Sequence, residues 1–222
     1  MLVNNKILLV GPVQTLMSLC HMAVTKAFWL SMGSSVLRIL GGFLLGVLCG
    51  FILAFASYKI KLMDEFLNPF VLTIKSIPVA SFVILVLIWF GAPNLSLIIS
   101  ALVVFPIVYL STLEGLKSLK SDLLEMAAVF KMRALTKFKY IYLHGLKSFL
   151  LSSLSLATGM AFKSGVAAEV IGRPRWSIGN GIFSAKAYLE TGEVLAWTIA
   201  IIIVSYLCER AIVIILRRCL SK

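Results

Sequence analysis

Lys75 and Lys163 stand inside long apolar runs, and Glu169 lies nearly two turns beyond Lys163, towards the outer end. A charge at bilayer depth costs at least about 2.5 to 3.5 kcal/mol on insertion scales, so each needs water, a counter-charge or backbone carbonyls, and such residues mark solute pathways or structural ion pairs. Two readings stand for Lys163. It faces a central cavity and attracts an anionic or strongly polar solute, with Ser164 beside it and Glu169 shaping an outer gate, or it pairs with a carboxylate of another segment. Lys75, one turn before Pro78, also has two. It lies on a pathway where the proline bends the helix and frees the carbonyl of Ile74, or it snorkels towards the nearer membrane face. Phe162, Trp89 and Trp197 either line such a path or pack.

Little other chemistry is available. The chain has two histidines, His21 and His144, and no nucleophile, base and orienter set around them. No GxxxxGK[ST] loop is present to cradle nucleotide phosphates. Cys20, Cys49, Cys208 and Cys219 form no CxxC pair and no metal-ligand spacing, which points to small packing residues and not to a disulfide or zinc framework. Neither an enzyme nor a metal site is expected.

The elements that carry these residues follow from composition. Hydrophobic residues make up 60% of the 222 positions and charged residues 14%, with a mean hydropathy of +1.02. That excludes a water-soluble globule and predicts an all-α integral membrane protein. The net charge of +12 does not indicate nucleic acid, because the lysines and arginines sit at the ends of apolar runs and form no stripe among aromatics.

A core of about 30 Å needs about 20 apolar residues per crossing. Five stretches qualify: 35–57, 66–90, 95–113, 148–168 and 194–216. Residues 1–33 carry Pro12, Gln14, His21 and Lys26 and read as an N-terminal interfacial amphipathic segment, with a sixth span over about 7–30 as the competing reading. Lys6 is a thin basic start with no convincing cleavage site after it, so the N-terminus is expected to be retained. Residues 34–222 form the transmembrane domain. Lys59 and Lys61, the basic run from Lys117 to Lys147, and Arg217, Arg218 and Lys222 mark the cytoplasmic side, while 91–94 and 169–193 face outside.

Small residues predict where helices approach. Gly42, Gly46 and Gly50 recur every fourth position, and Ala161, Gly165 and Glu169 share a face in the fourth span. Packing is the plain reading of both stripes; the second also admits a polar path.

Residues 117–147 form a basic cytoplasmic loop in which Met126, Val129, Phe130, Leu135, Phe138, Ile141 and Tyr142 are set among lysines, predicting short helices with one face on the protein. Charge alone also fits a solvated topological loop. Its "EMAAVFKMRALTKFKYIYLHG" resembles the EAA loop of bacterial ABC importer permeases. Glu125, Ala127, Ile141 and Leu143 fall on that pattern; Met126 replaces an Ala, Lys131 a Gly and His144 a Pro. With lysine at 131, the loop is expected to run on as one helix or to bend differently. "SSVLRILGGFLLG", "SIPVASFVILVLIWFG", "SGVAAEVIG" and "AKAYLETGEVLAWT" extend the similarity over about 34–216, towards the branch associated with nitrate, sulfonate, taurine and pyrimidine-precursor uptake. Relatives of that kind commonly carry a further helix ahead of the Ser34 region, and this chain is expected to start after it.

The resemblance implies a type I ABC importer transmembrane domain in a bacterial cytoplasmic (inner) membrane. Two permease subunits, alike or different, would pair with two cytoplasmic ATP-binding subunits and receive a small polar, anionic or heteroaromatic solute from an extracytoplasmic binding protein. No cofactor belongs to this chain, ATP being bound by the partner. Glu125, Ala127, Ala128, Lys131, Ile141 and Leu143 would couple to the ATPase, and Lys163, Ser164, Glu169 and Lys75 would lie along the pathway. A membrane channel or scaffold outside the ABC class is the alternative.

Overall fold

The computed structural model describes residues 11–220, with only the backbone of Cys219 and Leu220. Lys6, residues 7–10 and Lys222, used above to read the two ends, lie outside the described residues. Among the described residues every regular element is helical.

Helix α1 (Pro12–Ala23) has 12 residues, about 18 Å, too short to cross a bilayer. Proline occupies its first turn, where the missing N–H costs nothing. A tight corner follows: Thr25 accepts from the Phe28 amide and donates to the Met22 carbonyl, and the Trp29 indole N–H donates to Ala23 O at 2.8 Å. Helix α2 (Lys26–Lys59) then runs 34 residues, about 51 Å, and passes through positions 33 and 34 without a break.

The single span expected over 66–90 is instead two helices, α3 (Lys61–Ser76) and α4 (Val79–Phe90), set at 97°. Pro78 is not inside a helix, as the Ile74 argument required. It precedes α4, and it forces Ile77 before it into an extended conformation (ψ 133°), which ends α3. Hydropathy averages across such a break and cannot see it. The pair nevertheless traverses the bundle: Asp64 at its start bonds Lys117 at 2.6 Å, whereas Leu87 near its finish lies at the opposite end, beside Gly172.

After a 3₁₀ turn (Ala92–Asn94), helix α5 (Leu95–Lys117) forms the centre, packed against α2, α3, α4 and α9. Gly42, Gly46 and Gly50 face it. A Cβ on Gly46 would lie 2.8 Å from Ala101 O, and one on Gly50 would lie 3.0 Å from Phe105 O, so the two backbones meet along this stripe. Gly165, at the α2, α5 and α9 junction, leaves room instead for the side chains of Ile39 and Ser100, both 2.7 Å from where a Cβ would stand.

The loop comprises α6 (Ser121–Val129), α7 (Ala134–Lys137), a π-turn (Phe138–Tyr142) and α8 (Leu143–Gly145), leading into α9 (Lys147–Gly172). Helix α10 (Ile178–Ala187) is capped by Ser177 accepting from the Asn180 amide, and α11 (Thr191–Leu220) completes the bundle. Among the described residues four helices are long and apolar enough to cross a membrane, five with the bent pair counted as one span. The exposed Leu37, Leu44, Leu48 and Ile52 of α2 and Ile202, Ile203 and Leu207 of α11 give lipid-compatible outer faces.

Candidate functional site

Three places collect the residues singled out in the sequence. The first is the cytoplasmic loop. Helix α6 ends in a Schellman turn, with Met132 N–H donating to Ala127 O and Lys131 N–H to Ala128 O, both at 3.0 Å. Lys131 takes the left-handed conformation at φ 49°. The continuous helix expected as one alternative is thus corrected. The chain reverses at position 131 with lysine where glycine would be unstrained, at about 1 to 2 kcal/mol.

The loop has two faces. Ala127 and Ile141 are buried and Leu143 packs on the core, while Phe138 stacks against Phe55 (5.5 Å) and Phe51 (6.4 Å) and Tyr142 against Phe55 and Tyr58. This aromatic cluster fixes the loop to the end of α2. On the other face Val129, Phe130 and Leu135 are 77, 74 and 84% exposed, with Glu125, Ala128 and Lys131 also exposed. The sequence pattern had put Val129, Phe130 and Leu135 with the inward set; the turn at Lys131 presents them outwards.

The second place is Glu169, 0% exposed. Its Oε2 accepts from Ser35 Oγ at 2.6 Å and from the Gly179 amide at 3.3 Å, Arg38 stands 4.0 Å from Oε1, and Ser35 in turn accepts from the Ile178 amide at 2.9 Å. The carboxylate therefore faces the junction of α2, α9 and the start of α10 and not an open gate. Ser164 is also turned into the bundle, its hydroxyl spent on the carbonyls of Met160 and Ala161. Arg38 and Ser35 are partners that sequence spacing did not reveal.

The third place is a groove on the outer face of α9. Lys163 is exposed there, in line with Gly159, Ser155 and Ser152, and the groove holds about 490 Å³. Glu209 of α11 lines it too and accepts a hydrogen bond from Ser155. Glu209 was missed in the sequence, although an ionisable residue in the middle of an apolar run is the signal that picked out Lys163. Lys75 lines a separate, mostly apolar cavity of about 360 Å³ at the α3–α4 break, with Ile77, Phe82 and Pro106. Leu156 and Met160 belong to both walls, so the two depressions adjoin. Phe162 and Trp197 are buried in the core, Trp197 stacked on Phe28, and Trp89 is on the surface.

The serines and lysine along this α9 face, with Glu209 of α11 beside them, are unsuited to lipid, whereas α2 exposes Leu37, Leu44, Leu48 and Ile52. Such a face belongs against water or another protein chain.

A family model described as "Binding-protein-dependent transport system inner membrane component" matches residues 42–222. The chain is 26% identical over 188 residues, 84% of its length and 68% of the relative's, to the putative aliphatic sulfonates transport permease protein SsuC of Bacillus subtilis (strain 168). It is 27% identical over 213 residues, 93% of its length and 77% of the relative's, to the taurine transport system permease protein TauC of Escherichia coli (strain K12).

Proposed function

The chain belongs to the family of binding-protein-dependent transport system inner membrane components, and from that premise we propose that it imports a small anionic organic solute, of the sulfonate kind, and is driven through its cytoplasmic loop. The coarser statement holds by family: it is a multi-pass inner-membrane permease subunit of an ABC importer, not an enzyme, working with an ATPase and a solute-binding protein. Channel and scaffold readings outside that class fall away.

The solute class is supported by the two relatives, whose names specify aliphatic sulfonates and taurine, and by Lys163 exposed on a polar face of α9 at membrane depth. In the proposed assembly that face lines a pathway shared with a second permease subunit. The adjoining cavity at Lys75 gives the pathway an apolar wall beside a second cation.

The coupling role rests chiefly on one observation: a loop bound by aromatic stacking to α2 exposes Val129, Phe130 and Leu135 next to Glu125. An apolar patch rimmed by charge is what a docking segment presents to a partner's groove. Closure of the ATPase pair would push this segment, and the Phe138–Phe55 contact would carry the push into α2. Purification from the native membrane in mild detergent, comparing wild type with Glu125→Arg, tests this. An ATPase retained by the wild type and depleted by the variant is expected. Equal amounts in both would remove Glu125 from the contact, and none in either would sink the coupling assignment.

A further inference from the structure

The groove on α9 contains a negative charge that an anion pathway does not need. Glu209 and Lys163 line the same 490 Å³ depression, yet among the described residues they form no ion pair with each other. Glu209 is held by Ser155. Ser155 and Lys163 are eight residues apart on one face of α9, about 12 Å along the axis. The opposite charges are therefore held apart along the groove, with Ser152 and Gly159 leaving room between and beside them.

Position argues against a topological role for this glutamate. It lies eight residues before Arg217, about 12 Å inside the basic residues that mark the cytoplasmic boundary, and Ser155 lies eight residues inside Lys147. At that depth a carboxylate is costly unless it meets a partner, and a single hydroxyl is a thin one. Poor screening there also makes charge selection steep. A simple monoanion drawn to Lys163 must pass Glu209 against repulsion. A monocation drawn to Glu209 is repelled by Lys163. A solute with an anionic end and an ammonium end satisfies both and leaves neither charge of the groove unpaired.

We propose that Glu209 is a specificity-determining residue of this pathway, binding the cationic end of a zwitterionic solute whose anionic end meets Lys163. This rests on the importer reading and narrows it. The carboxylate then discriminates by what it excludes as well as by what it binds, and Ser155 positions it.

The test uses the whole importer, permease with its ATPase and solute-binding protein, reconstituted in proteoliposomes. The probes are 2-aminoethanesulfonate and propane-1-sulfonate, which differ by ammonium against methyl. Wild type is expected to accumulate the first over the second by more than tenfold. Glu209→Gln should cut that ratio about ten- to a hundredfold, as loss of a charge-assisted hydrogen bond does, chiefly by lowering uptake of the zwitterion. Glu209→Asp should restore part of it. Ser155→Ala, which keeps the carboxylate, should give a smaller loss in the same direction and stands in if Glu209→Gln fails to assemble. An unchanged ratio in Glu209→Gln, or in Ser155→Ala where that stand-in is used, overturns the proposal. So does a wild type that prefers propane-1-sulfonate or is stimulated by neither probe. Absence of an associated ATPase would be the separate failure of the importer reading.

Discussion

Ser35 and Glu169, 134 positions apart in sequence, share a hydrogen bond of 2.6 Å in the buried centre of the outer half of the bundle. The serine also receives the Ile178 amide and the glutamate the Gly179 amide, so two side chains satisfy the free N–H groups at the start of α10 and tie that helix to α2 and α9. Replacing Glu169 by Ala leaves Arg38 and an amide unpartnered. The detergent-solubilised protein should lose about 2 to 3 kcal/mol of stability, read as an earlier thermal aggregation midpoint. Glu169→Gln, which can still accept from Ser35, should lose less. Equal stability of wild type and the Ala variant would show that the carboxylate does not fasten the junction.

The glycine stripe of α2 makes a prediction with its own control. Gly46 has Ala101 O and Val104 Cβ at 2.8 and 2.9 Å from where a Cβ would stand, whereas Gly33 on the same helix has nothing within 4 Å. Gly46→Leu must push α5 away and should cost at least about 1 to 3 kcal/mol, seen as lost folded yield. Gly33→Ala should be neutral or stabilising by up to about 1 kcal/mol through helix propensity. Matching behaviour of the two variants would mean that close α2–α5 contact does not limit folding.

What the sequence could disclose depended on the range of each signal. Repeats along one helix are local, and the Gly42, Gly46 and Gly50 spacing shows a smooth face without any knowledge of its neighbour. Pro78 was visible as well, but whether a proline kinks a helix or ends it depends on what the following segment packs against, here Val83 and Val86 beside Leu95 and Ile99. Glu169 was read as a gate because its partners, Ser35 and Arg38, lie more than 130 positions away, a distance no local pattern spans. Glu209 went unnoticed in an apolar run, although its residue type alone was the warning.

Lys131 stores strain at the turn after α6. Lys131→Gly relieves the left-handed penalty but adds backbone freedom to the unfolded chain, for a net gain of about 0.5 to 1 kcal/mol in the turned form. A loop held more often in the docking shape should bind the isolated ATPase two- to fivefold more tightly, measured by surface-immobilised titration in detergent. Weaker binding would indicate that the lysine side chain itself touches the partner.

Lys163 separates two accounts by a single substitution. Lys163→Met keeps length and removes charge. If the ammonium meets solute in the groove, uptake by the reconstituted importer should fall more than tenfold while the permease still elutes with its ATPase as an intact complex. If it serves instead as a structural ion pair with another chain, the complex itself should come apart on size exclusion, and the groove would cease to be a pathway candidate.

Phe138 is where a push on the loop reaches the membrane helices, since its ring touches Phe51 and Phe55 of α2 while Val129 and Leu135 stay free for a partner. Phe138→Ala removes two ring contacts, worth about 1 to 2 kcal/mol together, and leaves the exposed Val129, Phe130 and Leu135 in place. ATPase binding and basal hydrolysis should persist while solute carried per ATP falls severalfold, because the loop can then move without moving α2. A variant that loses its ATPase as well would show that the same ring shapes the docking surface. Full transport with the ring gone would place the transmission elsewhere, along the direct run of α8 into α9.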